Sequence, residues 1–224
     1  MSKSFSKLAG VIFDMDGLML DTEAIYHIAW RQAGQMLGFY LSDELLMQTV
    51  GRKMEDCFRL LVEDQGTHFP IEQFKVQSRQ CWHEYVEQYG IPHKPGLLPL
   101  LDFLDEQHIP KAVATSTVYE WAIFTLGKAG IASRFTTIVS GDQVEHGKPA
   151  PDIFLKAADK LGVDPLCCIG LEDSEAGIAA VASAGMYAIM IPDIKPPSAT
   201  AKGHAHQVLP TLHEVRTLIQ TEWL

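Results

Sequence analysis

The chain has 224 residues, 47% of them hydrophobic and 21% charged, a composition ordinary for a globular protein with a substantial buried core. A formal charge of −10 argues against a broad footprint for nucleic acid or an anionic membrane surface, so neither partner is expected. It does not exclude a small phosphate held by a few local donors.

The opening stretch MSKSFSKLAGVIF lacks a secretory apolar region of usual length, and no later run reaches transmembrane length. A cytoplasmic protein is therefore expected. Its four cysteines, Cys57, Cys81, Cys167 and Cys168, show no CxxC spacing and read as reduced structural thiols.

The first element is the run Gly10–Phe13, whose β-rich residues suit a strand buried on both faces of a parallel sheet. It leads into FDMDG, where Asp14 and Asp16 stand just past the strand end. Ligands bind beyond the carboxyl ends of strands in open α/β sheets. An Asp-x-Asp-Gly segment is also an ordinary turn signal, so the pair needs support from the rest of the chain.

Nearly a hundred residues then pass before the next strand-like run. Within them, EAIYHIAWRQAGQMLG and IEQFKVQSRQCWHEYVEQYG carry apolar residues at three- and four-residue intervals, the pattern of amphipathic helices. This predicts a helical cap over residues 22–92, inserted after the first strand of a core made of residues 1–21 and 93–224. PHKPGLLPLL reads as the return into a core helix at about 97–107.

Further strands are expected at Ala112–Ala114, Thr137–Ser140, Cys167–Gly170 and Ala188–Ile191. Helical stretches separate them, each ending near a glycine, so the pattern predicts right-handed βαβ units and a parallel sheet. IKPPSATAKGHAH at 194–206 reads as a surface loop, followed by a short strand in HQVL and a closing helix from Thr211.

Such a sheet gathers its strand tips along one edge. The tips carry Asp14 and Asp16, then Thr115, Ser116 and Thr117, then Lys148, then Glu172 and Asp173. Each group has a bland reading as a turn, a cap or a solvated loop. Together they suit phosphoryl transfer. Asp14 can attack phosphorus to give an aspartyl-phosphate, and Asp16 can pass a proton to the leaving oxygen and later take one from water. Mg2+ takes hard oxygen ligands, which Asp14, Asp173 and the Asp16 carbonyl can supply. Thr115, with Ser116 and nearby amides, can hold phosphoryl oxygens while Lys148 balances their charge.

At these residues the chain resembles the haloacid dehalogenase superfamily. FDMDG, the threonine of VATST, GKPAPDIF and GLEDSEAGI match its four motifs in order. The branch it is most similar to has a helical cap after the first motif and includes β-phosphoglucomutase and pseudouridine-5′-phosphatase. That resemblance implies an α/β fold, a Rossmann-like parallel sheet core flanked by helices, with an inserted, mobile α-helical cap domain. It implies the same roles for Asp14, Asp16, Thr115, Lys148 and Asp173, and places Glu172 beside the metal, acting through water. An aspartate at position 16 favours phosphate esters over the superfamily's dehalogenase, ion-pump and phosphonate chemistries.

The expected function is a Mg2+-dependent phosphatase of a small phosphorylated metabolite, a sugar phosphate or nucleoside monophosphate, working as a monomer. A hexose-phosphate mutase and a non-catalytic binding protein on the same fold stay open. Substrate choice is assigned to the cap, with Glu23, Gly51, Arg52 and Lys53 as candidate contacts. Trp30, Phe74, Trp82 and Tyr85 read as cap core, and His204 and His206 as surface residues.

Overall fold

Strand β1 (Gly10–Phe13) is buried along its whole length and sits inside a six-stranded parallel sheet. In the computed structural model, which describes residues 7–50, 52 and 54–223, the sheet order is β3-β2-β1-β4-β5-β6. The other strands are β2 (Lys111–Thr115), β3 (Thr137–Ser140), β4 (Cys168–Glu172), β5 (Tyr187–Met190) and β6 (Gln207–Val208). This order reverses direction between β1 and β4, the crevice where doubly wound sheets bind ligands. β1 pairs with both neighbours in register, Phe13 lying opposite Val113 and Leu171. Asp14 therefore emerges beside the end of β4.

By contacts the chain divides into two units, one of Met1–Asp21 with Pro92–Leu224 and one of Thr22–Ile91. The first unit holds the sheet. Helices α7 (Asp152–Leu161) and α8 (Glu175–Ser183) pack on it over a core of Ile12, Ala112, Ala114, Val139, Phe154, Ile178 and Val181. Val11, Phe13, Ile169 and Leu171, the alternate residues of β1 and β4, are equally buried. Burial on both faces explains why these strands are continuous apolar runs rather than alternating ones. Helix α5 (Leu97–Glu106) packs against α10 (Leu212–Glu222), while α6 (Tyr119–Lys128) follows β2.

The second unit is helical: α1 (Thr22–Met36), α2 (Asp43–Thr49), α3 (Met54–Gln65) and α4 (Ile71–Tyr89). α1 and α4 form its main contact. Trp30 stacks on Phe58 and meets Phe74 edge-on, and Tyr26 stacks on Trp82. Trp30, Phe74 and Trp82 are buried, whereas Tyr85 is half-buried. No helix among the described residues is long and apolar enough to cross a membrane.

One stretch departs from its sequence reading. Residues 194–206 are not all loop, since α9 spans Ala199–His204. Ser198 caps it by accepting from the Ala201 amide, and Ala201 is buried in the α7–α8 core. Such a cap, with one buried alanine, lets a segment of six residues, too short to hold a helix alone, turn helical. His206 is exposed, yet its Nδ1 accepts from the Ala188 amide and its ring stacks on Tyr187, so a β-edge contact occupies it.

Candidate active site

β1 ends by handing its backbone to β4: the Asp14 amide donates to the Leu171 carbonyl at 3.0 Å. The Asp14 side chain is buried and faces Lys148, whose ammonium pairs with Asp14 Oδ1 and, at 2.6 Å, with Glu172 Oε1. The same ammonium donates to the Ala114 carbonyl at 3.1 Å and lies over the Phe154 ring. Only 5% of the Lys148 side chain is exposed. Burial works against its charge, but Asp14 and Glu172 outweigh that and hold its pKa above the usual lysine value.

Glu172 is fully buried at the end of β4. Its Oε2 accepts from the amides of Asp173 and Ser174 and from Ser174 Oγ, at 2.8–2.9 Å. Ser174 in turn caps α8 by accepting from the Gly177 amide at 3.0 Å. Glu172 thus joins the lysine to the start of the helix. Gly177 is what makes room for it, because a Cβ there would overlap the Glu172 carboxylate.

Asp14, Glu172 and Asp173 place a carboxylate oxygen each within 4.8 Å of one another. Desolvation pushes the Asp14 carboxyl up to about 8, against the pull of Lys148. Asp173 is raised for the same reason, with the neighbouring Glu172 and Asp14 charges adding to it. Three carboxylates face one ammonium here, an imbalance that a divalent cation with hard oxygen preference would correct. The residues fit Mg2+. Asp16 contributes no carboxylate to this group.

Asp16 lies in the turn after β1, where Gly17 adopts φ +85 and its amide donates to the Leu20 carbonyl. Only glycine suits that position: the backbone is left-handed and a Cβ would overlap the Asp173 carboxylate. Thr115, buried at the end of β2, accepts the Thr117 amide on its Oγ1 at 3.1 Å, while Ser116 is exposed.

The family model described as haloacid dehalogenase-like hydrolase matches residues 11–191. The chain belongs to this family. A Thermotoga maritima phosphorylated carbohydrates phosphatase is 31% identical over 186 residues, 81% of this chain and 84% of that one. A Drosophila melanogaster protein provisionally assigned as a pseudouridine-5′-phosphatase is 34% identical over 221 residues, covering 96% and 94%. Among solved structures, a Thermotoga maritima protein provisionally assigned as a β-phosphoglucomutase superposes with a TM-score of 0.83 at 28% identity, covering 94% and 98%.

In this haloacid dehalogenase-like hydrolase the first unit brings together Asp14, Lys148, Glu172 and Asp173. Glu23 and Arg52 belong to the second unit. Glu23 Oε2 is 4.0 Å from His27 Nε2, and Arg52 is exposed, its amide donating to the Thr49 carbonyl. Gly51 and Lys53 lie outside the described residues.

Sequence reasoning names Thr117 among the strand tips without giving it a role, and passes over Gly177. Thr117 Oγ1 donates to Asp16 Oδ2 at 2.8 Å. Its signal is placement, since Asp16 and Thr117 both lie just past the ends of adjacent strands, β1 ending at Phe13 and β2 at Thr115. Gly177 stands three residues past the Ser174 cap, where Glu172 needs space. Gly177→Ala is expected to cost about 1–3 kcal/mol through overpacking. By shifting Glu172 away from Lys148 it should also lower turnover about tenfold or more. Thermal unfolding and steady-state phosphate release measure the two effects separately.

Proposed function

We propose that the chain is a Mg2+-dependent phosphomonoester hydrolase of a small phosphorylated metabolite, working through an aspartyl-phosphate on Asp14. The observation that carries this is Lys148 seated between Asp14 and Glu172, with Asp173 alongside, at the reversal point of the sheet. With Oδ1 held by Lys148, Asp14 Oδ2 is the attacking oxygen. It bonds to phosphorus as the ester P–O bond breaks, and the Asp16 carboxyl supplies the leaving oxygen's proton. Asp16, now a carboxylate, takes a proton from the water that cleaves the acyl phosphate, which restores both aspartates.

Thr115, Ser116 and neighbouring amides hold the phosphoryl oxygens, and Lys148 stabilises charge developing on them. Mg2+, held by Asp14, Asp173 and the Asp16 carbonyl with Glu172 acting through water, would offset repulsion between carboxylate and phosphate. We assign residues 22–92 the role of a cap that reads the rest of the substrate, with Glu23, Gly51, Arg52 and Lys53 as contacts. The phosphatase assignments of the two relatives support this reading. No disulfide joins the cysteines among the described residues, and burial pushes the Cys168 thiol up to about 12; both suit the reducing cytoplasm.

The test is phosphate release from sugar phosphates and nucleoside monophosphates, with Mg2+ and then with chelator. Mg2+-dependent release supports the hydrolase, and the preferred ester identifies what the cap reads. Sugar-phosphate isomerisation without net release would point to a mutase, the reading that the β-phosphoglucomutase-like structural neighbour keeps open.

Metal binding should also register in stability. At a hundredfold excess over Kd, Mg2+ should add about 2.7 kcal/mol, or roughly 5–10 °C in Tm for a chain of this size. The increment should grow with pH. Burial pushes the Asp14 carboxyl up to about 8 in the folded, metal-free protein, from an unperturbed 3.8. Between those values the folded state binds the extra proton, so metal-free stability falls as pH rises. Tm measured with Mg2+ and with chelator at pH 5 and pH 8 checks this, and a larger increment at pH 5 would contradict it.

A further inference from the structure

We infer that Thr117 is a positioning residue for Asp16, an assignment that rests on the phosphatase reading above. Its hydroxyl donates to Asp16 Oδ2 at 2.8 Å, joining residues 101 apart in sequence. The segment that carries it is anchored at both ends. The Thr117 amide donates to Thr115 Oγ1 at 3.1 Å, and its carbonyl accepts the Gly141 amide at 3.3 Å. Gly141 lies so close to the Ser116 carbonyl that a Cβ would overlap it. Thr115 itself is paired in the sheet opposite Ser140. On the other side, the Asp16 turn is closed by the Gly17–Leu20 hydrogen bond and a bridge between Asp16 and Leu20. Two well-anchored turns thus meet through this side-chain bond.

The choice of a hydroxyl has a chemical reason. Asp16 must alternate between carboxyl and carboxylate in every turnover. The threonine hydroxyl can donate to Oδ2 in both states, because an acid that carries its proton on Oδ1 for the leaving oxygen still presents Oδ2 as a carbonyl acceptor. Lysine or arginine would bias Asp16 toward its charged form, and valine has no donor for either. The β-branch of threonine also limits χ1, so the hydroxyl direction is narrowly set. Thr117 therefore keeps the Asp16 carboxyl aimed at the leaving oxygen in both halves of the reaction. Thr115 and Ser116 hold the phosphoryl group; Thr117 holds the proton carrier.

Leaving-group chemistry separates these two roles. In the first step the Asp14–phosphorus bond forms, the ester P–O bond breaks, and an alkoxide leaving group must take the Asp16 proton. Nitrophenolate leaves as a stable anion and needs no proton. A residue that only aims Asp16 matters for the alkyl ester and hardly for the nitrophenyl ester. A residue that binds the phosphoryl group matters equally for both.

The experiment uses the full chain in excess over substrate with Mg2+, so that one turnover is followed. Wild type, Thr117→Val, Thr117→Ala and Thr117→Ser are compared on nitrophenyl phosphate and on an alkyl phosphate that wild type hydrolyses. Alcohol release from the alkyl ester should slow about tenfold or more in the Val and Ala variants. Nitrophenolate release should stay within about twofold of wild type, and the Ser variant should recover the alkyl rate. Valine matches threonine in shape, and the alanine variant removes the hydroxyl without adding apolar bulk. Equal slowing on both esters, an unchanged alkyl rate, or no recovery with serine overturns the assignment. If wild type hydrolyses neither nitrophenyl phosphate nor any alkyl phosphate screened to choose the second ester, the phosphatase reading itself falls, and this assignment with it.

Discussion

Asp14→Asn is expected to lower phosphate release more than about a thousandfold, equivalent to roughly 4 kcal/mol of transition-state stabilisation, while the protein stays folded. An amide nitrogen cannot attack phosphorus as a carboxylate oxygen does, so no acyl phosphate forms. Shape is nearly preserved, and the side chain is buried at the end of a strand held on both sides. The variant loses its ion pair with Lys148, but it also removes a charge that burial and Glu172 disfavour. These effects oppose each other, so Tm in chelator should change little. The Mg2+-induced rise in Tm should shrink, because one of its proposed ligands is gone. Ester binding measured by equilibrium dialysis should survive the substitution. Turnover retained by Asp14→Asn would remove the proposed nucleophile.

How much of this arrangement is legible in sequence depends on how local its cause is. Runs such as Val11–Phe13 and Ile169–Leu171 announce their strands because both faces are buried, and the glycines after α6 and α7 mark helix ends. The meeting of Asp14, Lys148 and Asp173 follows from parallel order alone, since each stands just past a strand tip or in the loop beyond one. Helices α2 and α3 are harder to separate within the long insert: Ser42 caps α2, but α3 buries only Cys57 and Leu61 among its described residues. Helix α9 is hidden by surrounding proline and glycine, and its cause is Ala201 entering a core built elsewhere.

Glu172 shows the same limit at the site. In sequence it is one half of an acidic pair at a helix start, a setting the helix dipole favours. In the fold it turns inward, held by two amides and the Ser174 hydroxyl, and presents its other oxygen to Lys148. That orientation depends on the missing Cβ at Gly177, five residues away and on another element. No pattern within GLEDSEAGI distinguishes an inward glutamate from a capping one. Thr117 is a similar case, because its partner lies 101 residues earlier and only the pairing of β1 with β2 brings the two turns together.

Lys148→Met is expected to produce the largest combined loss. Methionine keeps the packing over Phe154 but leaves Glu172, and Asp14 wherever it is ionised, buried without their counter-charge. Removing one partner of a buried pair costs about 3–5 kcal/mol, or roughly 6–20 °C in Tm for a chain of this size. Turnover should fall about 10²–10³-fold, the usual effect of losing one group that stabilises developing charge. The stability deficit should shrink as pH is lowered, because protonating the carboxyls removes the charge that Lys148 no longer balances. The double variant Lys148→Met with Glu172→Gln separates the two losses. If the lysine stabilises the fold by offsetting these carboxylates, deleting one of them should recover about 1–3 kcal/mol. Turnover should not recover, since no cation returns to the phosphoryl group. A double variant as unstable as Lys148→Met would instead place the lysine's contribution in packing, and recovered turnover would remove it from the charge-balancing role.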